Sequence, residues 1–224
     1  MSTRQKIEAM LHTIEVECSF TKGFTGRASL LPEVIEAMRL VSRHDFVPPN
    51  LTAMAYENTP LPIGKGQTIS QPFIVSLMTD LLCPEKGDVI LEVGAGSGYQ
   101  AAILSLLVRQ VYTLEIIPAL AEKAMDLLQK LGYENVEVRQ GDGYNGWPEH
   151  APFDGIIVTA AATHVPASLK EQLKPGGRLI IPVGLPFMHQ ELLVLEKDEQ
   201  GVFSTRDVLP VSFVPLTREE IDSC

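Results

Sequence analysis

The chain has 224 residues, of which 45% are hydrophobic, and a formal net charge of −10 at pH 7. This length supports one sizeable core, and the negative charge argues against nucleic acids and anionic lipid surfaces as partners. The three cysteines are widely spaced, which predicts no disulfides, and the histidines lack metal-ligand spacing, which predicts no metal site. No apolar run is long enough to predict a membrane span. We expect a cytoplasmic protein and a monomer.

The first part of the chain predicts a helical cap followed by a loop. Apolar residues recur at helical spacing over 7–14, and Pro32 begins a second helical run that continues to Val41. Residues 60–72 contain three prolines and two glycines, which predict an irregular but ordered loop. A further helix is predicted over 73–82.

From Asp88 onward, short apolar runs alternate with helical stretches, which predicts a parallel sheet covered by helices on both faces. The fold class is therefore α/β: a Rossmann-like, doubly wound, mostly parallel seven-stranded sheet with an antiparallel C-terminal strand and added N-terminal helices. The predicted strands are 89–93, 111–115, 135–139, 155–160, 178–183, 191–197 and 207–216, and the predicted helices between them are 98–108, 118–131 and 166–173. A single domain is predicted, with a helical cap (1–50), a loop and helix (51–87) and a sheet core (88–224).

A glycine-rich loop follows the first predicted strand of the core in the run LEVGAGSGY. Gly94, Gly96 and Gly98 let the backbone approach a ligand, and open parallel sheets bind ligands at this edge. The spacing differs from the dinucleotide pattern G-x-G-x-x-G, and Glu92 would repel a pyrophosphate but can pair with the amino group of a methionine-derived ligand. The loop resembles the first motif of class I methyltransferases, so S-adenosylmethionine is favoured over NAD and over a purely structural turn.

Two acidic residues are predicted at the same edge of the sheet. Glu115 ends the second strand of the core, where a carboxylate can accept both ribose hydroxyls; the alternative is a solvated strand end. Asp142 follows the third strand and can accept a hydrogen bond from the adenine amino group; the alternative is a plain turn. Trp147 can either cover the adenine or fill the core.

The sequence also limits the methyl acceptor. Residues 158–163, after the fourth strand, lack the N/D-P-P-Y/F loop of base amino-methylation, and Cys83-Pro84 has the wrong order for cytosine C5 chemistry. A carboxylate acceptor is already ionised at neutral pH and needs no general base. Thr68 and Ser70 offer hydroxyls that can position such an acceptor, or that can equally cap the helix starting near Phe73.

Several ordered segments between about Phe46 and Leu216 are similar to one family. They are PLPIGKGQTISQP, LEVGAGSGYQAA, VYTLE, LGYENVEVRQGDGYNGWPEHAPFDGIIVTAAA, QLKPGGRLIIPVG and FVPL. The chain thus resembles the protein-L-isoaspartate O-methyltransferases. The resemblance implies methyl transfer from S-adenosylmethionine to the free α-carboxylate of L-isoaspartyl residues in damaged proteins, with S-adenosylhomocysteine as product. The ester would collapse to a succinimide that can reopen to normal aspartate.

The resemblance also implies roles for single residues. Ser70 matches the position that is usually assigned the active-site role, and Thr68 lies beside the acceptor. Because a carboxylate has no proton to lose, we assign Ser70 to acceptor orientation or cofactor contact. The cofactor-binding residues are expected to be Glu92, Gly94, Gly96, Ser97, Gly98, Glu115, Asp142 and Gly143, and the substrate-binding residues Thr68, Ser70, Val214, Pro215 and Leu216, the last three at a strand end beside the bound peptide.

Three residues depart from the family pattern. Asn58 stands where many members have Asp, His164 where proline is common, and Ser212 where bacterial members often have Arg. The missing Arg predicts weaker binding of acidic peptides. These departures leave open a class I methyltransferase that acts on a small molecule or on another protein group. A protein that binds the cofactor without turnover is a third hypothesis.

Overall fold

The computed structural model describes residues 1–185 and 188–218. These described residues form six α-helices, nine β-strands and a few short 3-10 helices. In chain order they are α1 (Thr3–Thr25), α2 (Pro32–Leu40), β1 (Leu61–Gly64), β2 (Gln67–Ile69), α3 (Pro72–Leu82), β3 (Val89–Val93), α4 (Tyr99–Ser105), β4 (Gln110–Glu115), α5 (Pro118–Lys130), β5 (Val136–Gln140), β6 (Phe153–Val158), α6 (Ala167–Glu171), β7 (Leu173–Gly184), β8 (Gln190–Lys197) and β9 (Phe203–Val211).

Seven strands form the main sheet in the order β5-β4-β3-β6-β7-β8-β9. The first five pair in parallel, and β8 runs antiparallel to both of its neighbours. The two central strands are buried almost throughout, as expected for a sheet with helices on both faces. The predicted fold class is therefore confirmed. The carboxyl ends of the parallel strands meet at one edge, where the candidate site lies.

The N-terminal helices pack over this sheet and over α3. Helix α1 begins with a capping box, in which Ser2 accepts from the Gln5 backbone and the Gln5 side chain accepts in return from Ser2. It ends at Gly26, whose φ of 70° suits the left-handed C-cap. Its apolar face is buried at Met10, Leu11, Ile14 and Cys18. Helix α1 is thereby fixed along its length and packs against α2 and α3.

Residues 60–72 are more regular than predicted. Strands β1 and β2 pair in an antiparallel hairpin, so the prediction of an irregular loop is wrong. The turn is Gly64-Lys65-Gly66, and all three residues have positive φ, at 99°, 54° and 73°. The prolines do not prevent this pairing, because both strands of a two-stranded ribbon are edge strands, where Pro62 is tolerated.

Some sequence predictions concern features that the described residues do not contain. Within 1–185 and 188–218, no helix combines the length and apolarity that a membrane crossing requires. The same ranges contain no group of three His, Cys, Asp or Glu side chains arranged to hold a metal. Cys18 and Cys83 are free thiols, and Cys224 lies outside the described residues.

Candidate active site

The glycine loop after β3 is held close to its neighbours. The backbone N–H groups of Gly94 and Ala95 both donate to the carbonyl of Leu114 in β4, at 2.8 and 3.0 Å. Gly94 has a φ of +100°, and a Cβ added there would lie 2.5 Å from Thr159 Oγ1. Glycine is thus required at position 94 both by the backbone conformation and by the close approach of β6's end.

Glu115, at the end of β4, is bound into this loop. Its Oε2 accepts from the backbone of Gly96 at 2.8 Å, and its Oε1 accepts from Ile117 at 3.0 Å. The side chain is buried, which excludes the solvated strand end that was the alternative. Each carboxylate oxygen has a second acceptor site, so Glu115 can still receive two hydroxyl donors from a ligand.

Glu92 is the most unusual side chain of the site. It is fully buried within β3, and its Oε2 accepts from Thr113 Oγ1 at 2.5 Å. Its Oε1 has no hydrogen-bond partner among the described residues. The pKa of Glu92 is raised to about 8, mainly because the carboxyl is buried. The hydrogen bond from Thr113 lowers this pKa, and the nearby carboxylate of Glu115 raises it. An unpaired buried acceptor is costly, so this carboxyl is suited to a ligand that donates protons or carries a cation.

These groups line one cleft that is open to solvent, with about 750 Å³ of empty space including its mouth, which we call the glycine-loop cleft. It is bounded by hairpin β1–β2, the glycine loop and the ends of β4, β5 and β6. Its lining includes Gln67, Thr68, Ser70, Glu92, Gly94, Gly96, Ser97, Glu115, Ile117, Gly141, Gly143, Thr159, Val214, Pro215 and Leu216.

Asp142 and Trp147 are placed differently. The Asp142 Oδ1 accepts from the Tyr144 backbone at 2.8 Å and caps a short 3-10 turn, as in the plain-turn alternative. Its neighbours Gly141 and Gly143 line the glycine-loop cleft, but the Asp142 side chain does not. Trp147 is buried in the core against Tyr112, so it fills the core rather than covering a ligand.

A second cavity, also open to solvent and with about 1120 Å³ of empty space including its mouth, adjoins the first, and we call it the outer groove. The two cavities share Thr68, Ser70, Thr159 and Val214 as a common wall. The outer groove is lined by Glu17, Thr21, Pro60, Thr68, Ser70, Gln71, Phe73, Ile74, Thr159 and the residues 209–214.

Neither Thr68 nor Ser70 caps helix α3. Instead, the Phe73 backbone N–H donates a hydrogen bond to Asn58 Oδ1 at 2.9 Å. Gln71, the residue before the helix, makes no side-chain cap. The helix-cap alternative for Thr68 and Ser70 is therefore wrong. Both hydroxyls remain available on the wall between the two cavities.

Arg43 holds the backbone of Ser70 from behind. Its side chain is fully buried, and its Nη2 donates to the carbonyls of Thr59 at 3.1 Å and Ser70 at 3.0 Å, while Nη1 donates to Ala55. Burial lowers the pKa of Arg43 to about 10, so it stays charged at neutral pH. No local sequence pattern indicates this role, because the guanidinium reaches residues 12 to 27 positions away.

The segment after β9 crosses the carboxyl edge of the sheet. Ala161 donates to the carbonyl of Val214 and accepts from the N–H of Leu216, both at 2.8 Å. The buried side chain of Gln190 accepts from the Phe213 backbone N–H at 2.6 Å and donates to the Phe213 carbonyl at 3.2 Å. Strand β9 itself ends at Val211, so the prediction of a strand through residue 216 is wrong. Val214, Pro215 and Leu216 still lie beside the predicted site.

Comparison with known proteins identifies the family. The family model for protein-L-isoaspartate(D-aspartate) O-methyltransferase matches residues 25–221. The chain belongs to this family. It is 61% identical over 208 residues to protein-L-isoaspartate O-methyltransferase 2 of Syntrophobacter fumaroxidans, which covers 93% of this chain and 84% of the relative. It is 56% identical over 208 residues to the protein of the same name from Polaromonas sp., which covers 93% of this chain and 99% of the relative.

Solved structures of the family share the fold. A protein-L-isoaspartate O-methyltransferase structure matches with a TM-score of 0.80 at 28% identity, covering 94% of this chain and 66% of that one. A Plasmodium falciparum structure in complex with S-adenosyl-L-homocysteine matches with a TM-score of 0.74 at 23% identity. The family predicted from the order of the motifs is therefore confirmed. Most of helix α1 lies ahead of the family match.

Asn58, one of the three departures, connects two helices. Its Nδ2 donates to Glu17 Oε1 of α1 at 2.7 Å, while its Oδ1 accepts from Phe73 at the start of α3. A carboxylate at this position would accept from Phe73 but would face Glu17 with like charge. The presence of Glu17 thus explains Asn at position 58. Of the other departures, Ser212 lines the outer groove, whereas His164 is exposed and lines neither cavity.

The substitution Asn58→Asp is expected to destabilise the protein by roughly 1 to 3 kcal/mol at pH 8, because it removes a charge-assisted hydrogen bond and sets two carboxylates side by side. The pair raises the carboxyl pKa in the folded state, so the penalty shrinks as pH falls and one carboxyl is protonated. Urea unfolding at pH 5 and pH 8 measures this. The double variant Asn58→Asp with Glu17→Gln should recover most of the loss, and an equal penalty at both pH values would contradict the explanation.

Proposed function

We propose that the chain transfers a methyl group from S-adenosylmethionine to the free α-carboxylate of L-isoaspartyl residues in damaged proteins. The observation that carries this proposal is the shared wall, where a cleft lined by the glycine loop, Glu92 and Glu115 adjoins an open groove beside Thr68 and Ser70. Family membership supports the same reaction.

The residues of the glycine-loop cleft suit the methyl donor. The unpaired Oε1 of Glu92 offers an acceptor for the amino group of the methionine part, and Glu115 offers its remaining acceptor sites for two ribose hydroxyls. Gly94, Gly96 and Ser97 provide close backbone approach, and Gly143 does the same at the end of β5. Gly98, predicted as a fourth loop contact, is not in the cleft lining; it precedes α4 and packs close to Leu128. Asp142 acts through the turn that presents its neighbours rather than through direct contact.

The wall residues are suited to orient the acceptor. When bound, S-adenosylmethionine supplies a methyl on a sulfonium, and its transfer to a carboxylate oxygen gives a methyl ester and S-adenosylhomocysteine without removal of a proton. Ser70 and Thr68 donate hydroxyl hydrogen bonds that hold the acceptor carboxylate in line, which is the main demand of such a transfer. Val214, Pro215 and Leu216 offer extended backbone beside the peptide. No residue is required as a nucleophile.

A matched pair of peptides tests the proposal. With a radiolabelled methyl donor, the protein should methylate an isoaspartyl peptide faster than its normal aspartyl twin by more than about tenfold. The product should release its label in mild alkali, as methyl esters do. In the same assay Ser70→Ala should lower kcat while the affinity for S-adenosylhomocysteine is retained. Equal rates on the two peptides, or an alkali-stable product, would refute the assignment.

A further inference from the structure

One wall of the outer groove comes from a helix that mostly lies ahead of the family match. Glu17 and Thr21 of α1 line the groove, whereas the family match begins at residue 25. The segment from Leu209 to Val214 lines the same groove. The groove that receives the acceptor is thus completed by a part of the chain that the family model does not include.

Glu17 gives this groove its charge. Among the described residues that line the outer groove, Glu17 alone carries an ionisable side chain. Its carboxylate is held by two neutral amides: Asn58 Nδ2 donates to Oε1 at 2.7 Å, and Gln71 Nε2 approaches Oε2 at 3.5 Å. Neither contact neutralises the carboxylate, and Ser212 adds no cation to the groove. The negative charge therefore faces whatever enters.

The position of Glu17 is close enough to the acceptor site to matter. Gln71, which contacts Glu17, directly follows Ser70 in the chain. Glu17 is thus separated from the Ser70 backbone by a single glutamine side chain, and both residues line the outer groove. The acceptor is itself an anion, so it meets repulsion in this groove unless the peptide brings a cation of its own.

We propose that Glu17 makes the outer groove select isoaspartyl segments that carry Lys or Arg close to the damaged residue. This selectivity rests on the proposed function. A basic side chain on the peptide pairs with Glu17, and an acidic one adds to the repulsion of the acceptor carboxylate. Ser212 strengthens the effect, because it adds no cation to the groove lining that would offset Glu17.

Three isoaspartyl peptides that differ at one flanking position test this proposal. The position holds Lys, Gln or Glu, and kcat/KM is measured at about 20 mM and 500 mM salt. At low salt the Lys peptide should exceed the Glu peptide by roughly 5- to 20-fold, and the ratio should fall towards 1 at high salt as the Debye length shrinks. The flanking position is varied on both sides of the isoaspartyl residue.

Two variants of α1 test whether Glu17 causes the ratio of kcat/KM between the Lys and Glu peptides. Glu17→Gln keeps an acceptor oxygen for Asn58 but removes the charge, and it should reduce the Lys-to-Glu ratio to about 2 or less. Glu15→Gln makes the same charge change at an exposed position of the same helix and should keep the wild-type ratio. An equal ratio in wild type and Glu17→Gln would overturn the proposal. Failure to methylate any of the three peptides would instead refute the proposed function.

Discussion

Replacing Glu92 with Gln is expected to stabilise the protein at alkaline pH and to weaken its binding of S-adenosylhomocysteine. In the folded protein burial raises the pKa of this carboxyl to about 8, whereas an unfolded chain has a value near 4.5. Between these two pH values the folded state binds the extra proton. The free energy of unfolding therefore falls as pH rises from 4.5 to 8, and the full penalty applies above pH 8.

A glutamine at this position stays neutral and keeps an acceptor for Thr113. Thermal unfolding at pH 8.5 should show a gain of roughly 1 to 3 kcal/mol, or about 2 to 10 °C, with no gain at pH 4.5. Calorimetry should show an affinity for S-adenosylhomocysteine that is about 10- to 100-fold lower, because a charge-assisted hydrogen bond is lost.

Wild-type binding should also release a proton near neutral pH, since a bound ammonium favours the ionised form of Glu92. Titrations in two buffers of different ionisation enthalpy detect this release, which Glu92→Gln should abolish. The matched control is Glu122→Gln on the exposed face of α5, for which no change is expected in either measurement. Unchanged affinity in Glu92→Gln would remove Glu92 from the cofactor site.

Replacing Arg43 with Met is expected to destabilise the protein by about 2 to 4 kcal/mol. Two effects oppose each other. Removing a buried charge relieves a desolvation cost of about 3 kcal/mol, judged from the fall of the Arg43 pKa from 12.5 to about 10. The carbonyls of Ala55, Thr59 and Ser70 then lose their donors, and each buried acceptor left without a partner costs about 1 to 3 kcal/mol. The second effect is the larger.

Thermal unfolding measures this difference, which corresponds to a lower Tm by roughly 4 to 16 °C in a chain of this size. Arg39→Met is the control, because Arg39 forms only surface ion pairs with Glu8 and Glu36 and should change stability by less than about 1 kcal/mol. Arg43→Lys retains the charge without the planar fork, so it should fold and show a lower kcat through displacement of Ser70. A Tm within 1 °C of wild type for Arg43→Met would show that the carbonyls find other donors.

The sheet was predictable because its signal is local. Strands such as 89–93 are buried on both faces and read as continuous apolar runs, and helices such as Pro118–Lys130 show their own period. The hairpin at Leu61–Ile69 was not predicted, because the prolines in this segment indicate a loop and the turn depends on the positive φ of Gly64 and Gly66. Its pairing follows from backbone conformation, which the apolar pattern does not report.

The candidate site was predictable in part for the same reason. Glu92, Glu115 and the glycine loop lie at or next to the carboxyl ends of parallel strands, and a parallel sheet brings those ends to one edge. Arg43 and Glu17 act through contacts with residues far along the chain, such as Glu17 with Asn58, 41 positions away. Such contacts follow from how α1 and the segment before β1 pack on α3, and no local spacing encodes them. Thr159 could have been predicted as a site residue, since it lies at the end of the fourth strand of the core, at that edge of the sheet.

Helix α1 reaches the outer groove with two side chains while its buried face anchors it to the body of the protein. The residues that we propose bind the methyl donor lie elsewhere, on β3, β4 and their loops. On this proposal, target selection and transfer chemistry depend on separate parts of the chain. Exchanging the outward side chains of a single helix is therefore a route by which such an enzyme can be redirected to a different population of damaged proteins, with its reaction left intact.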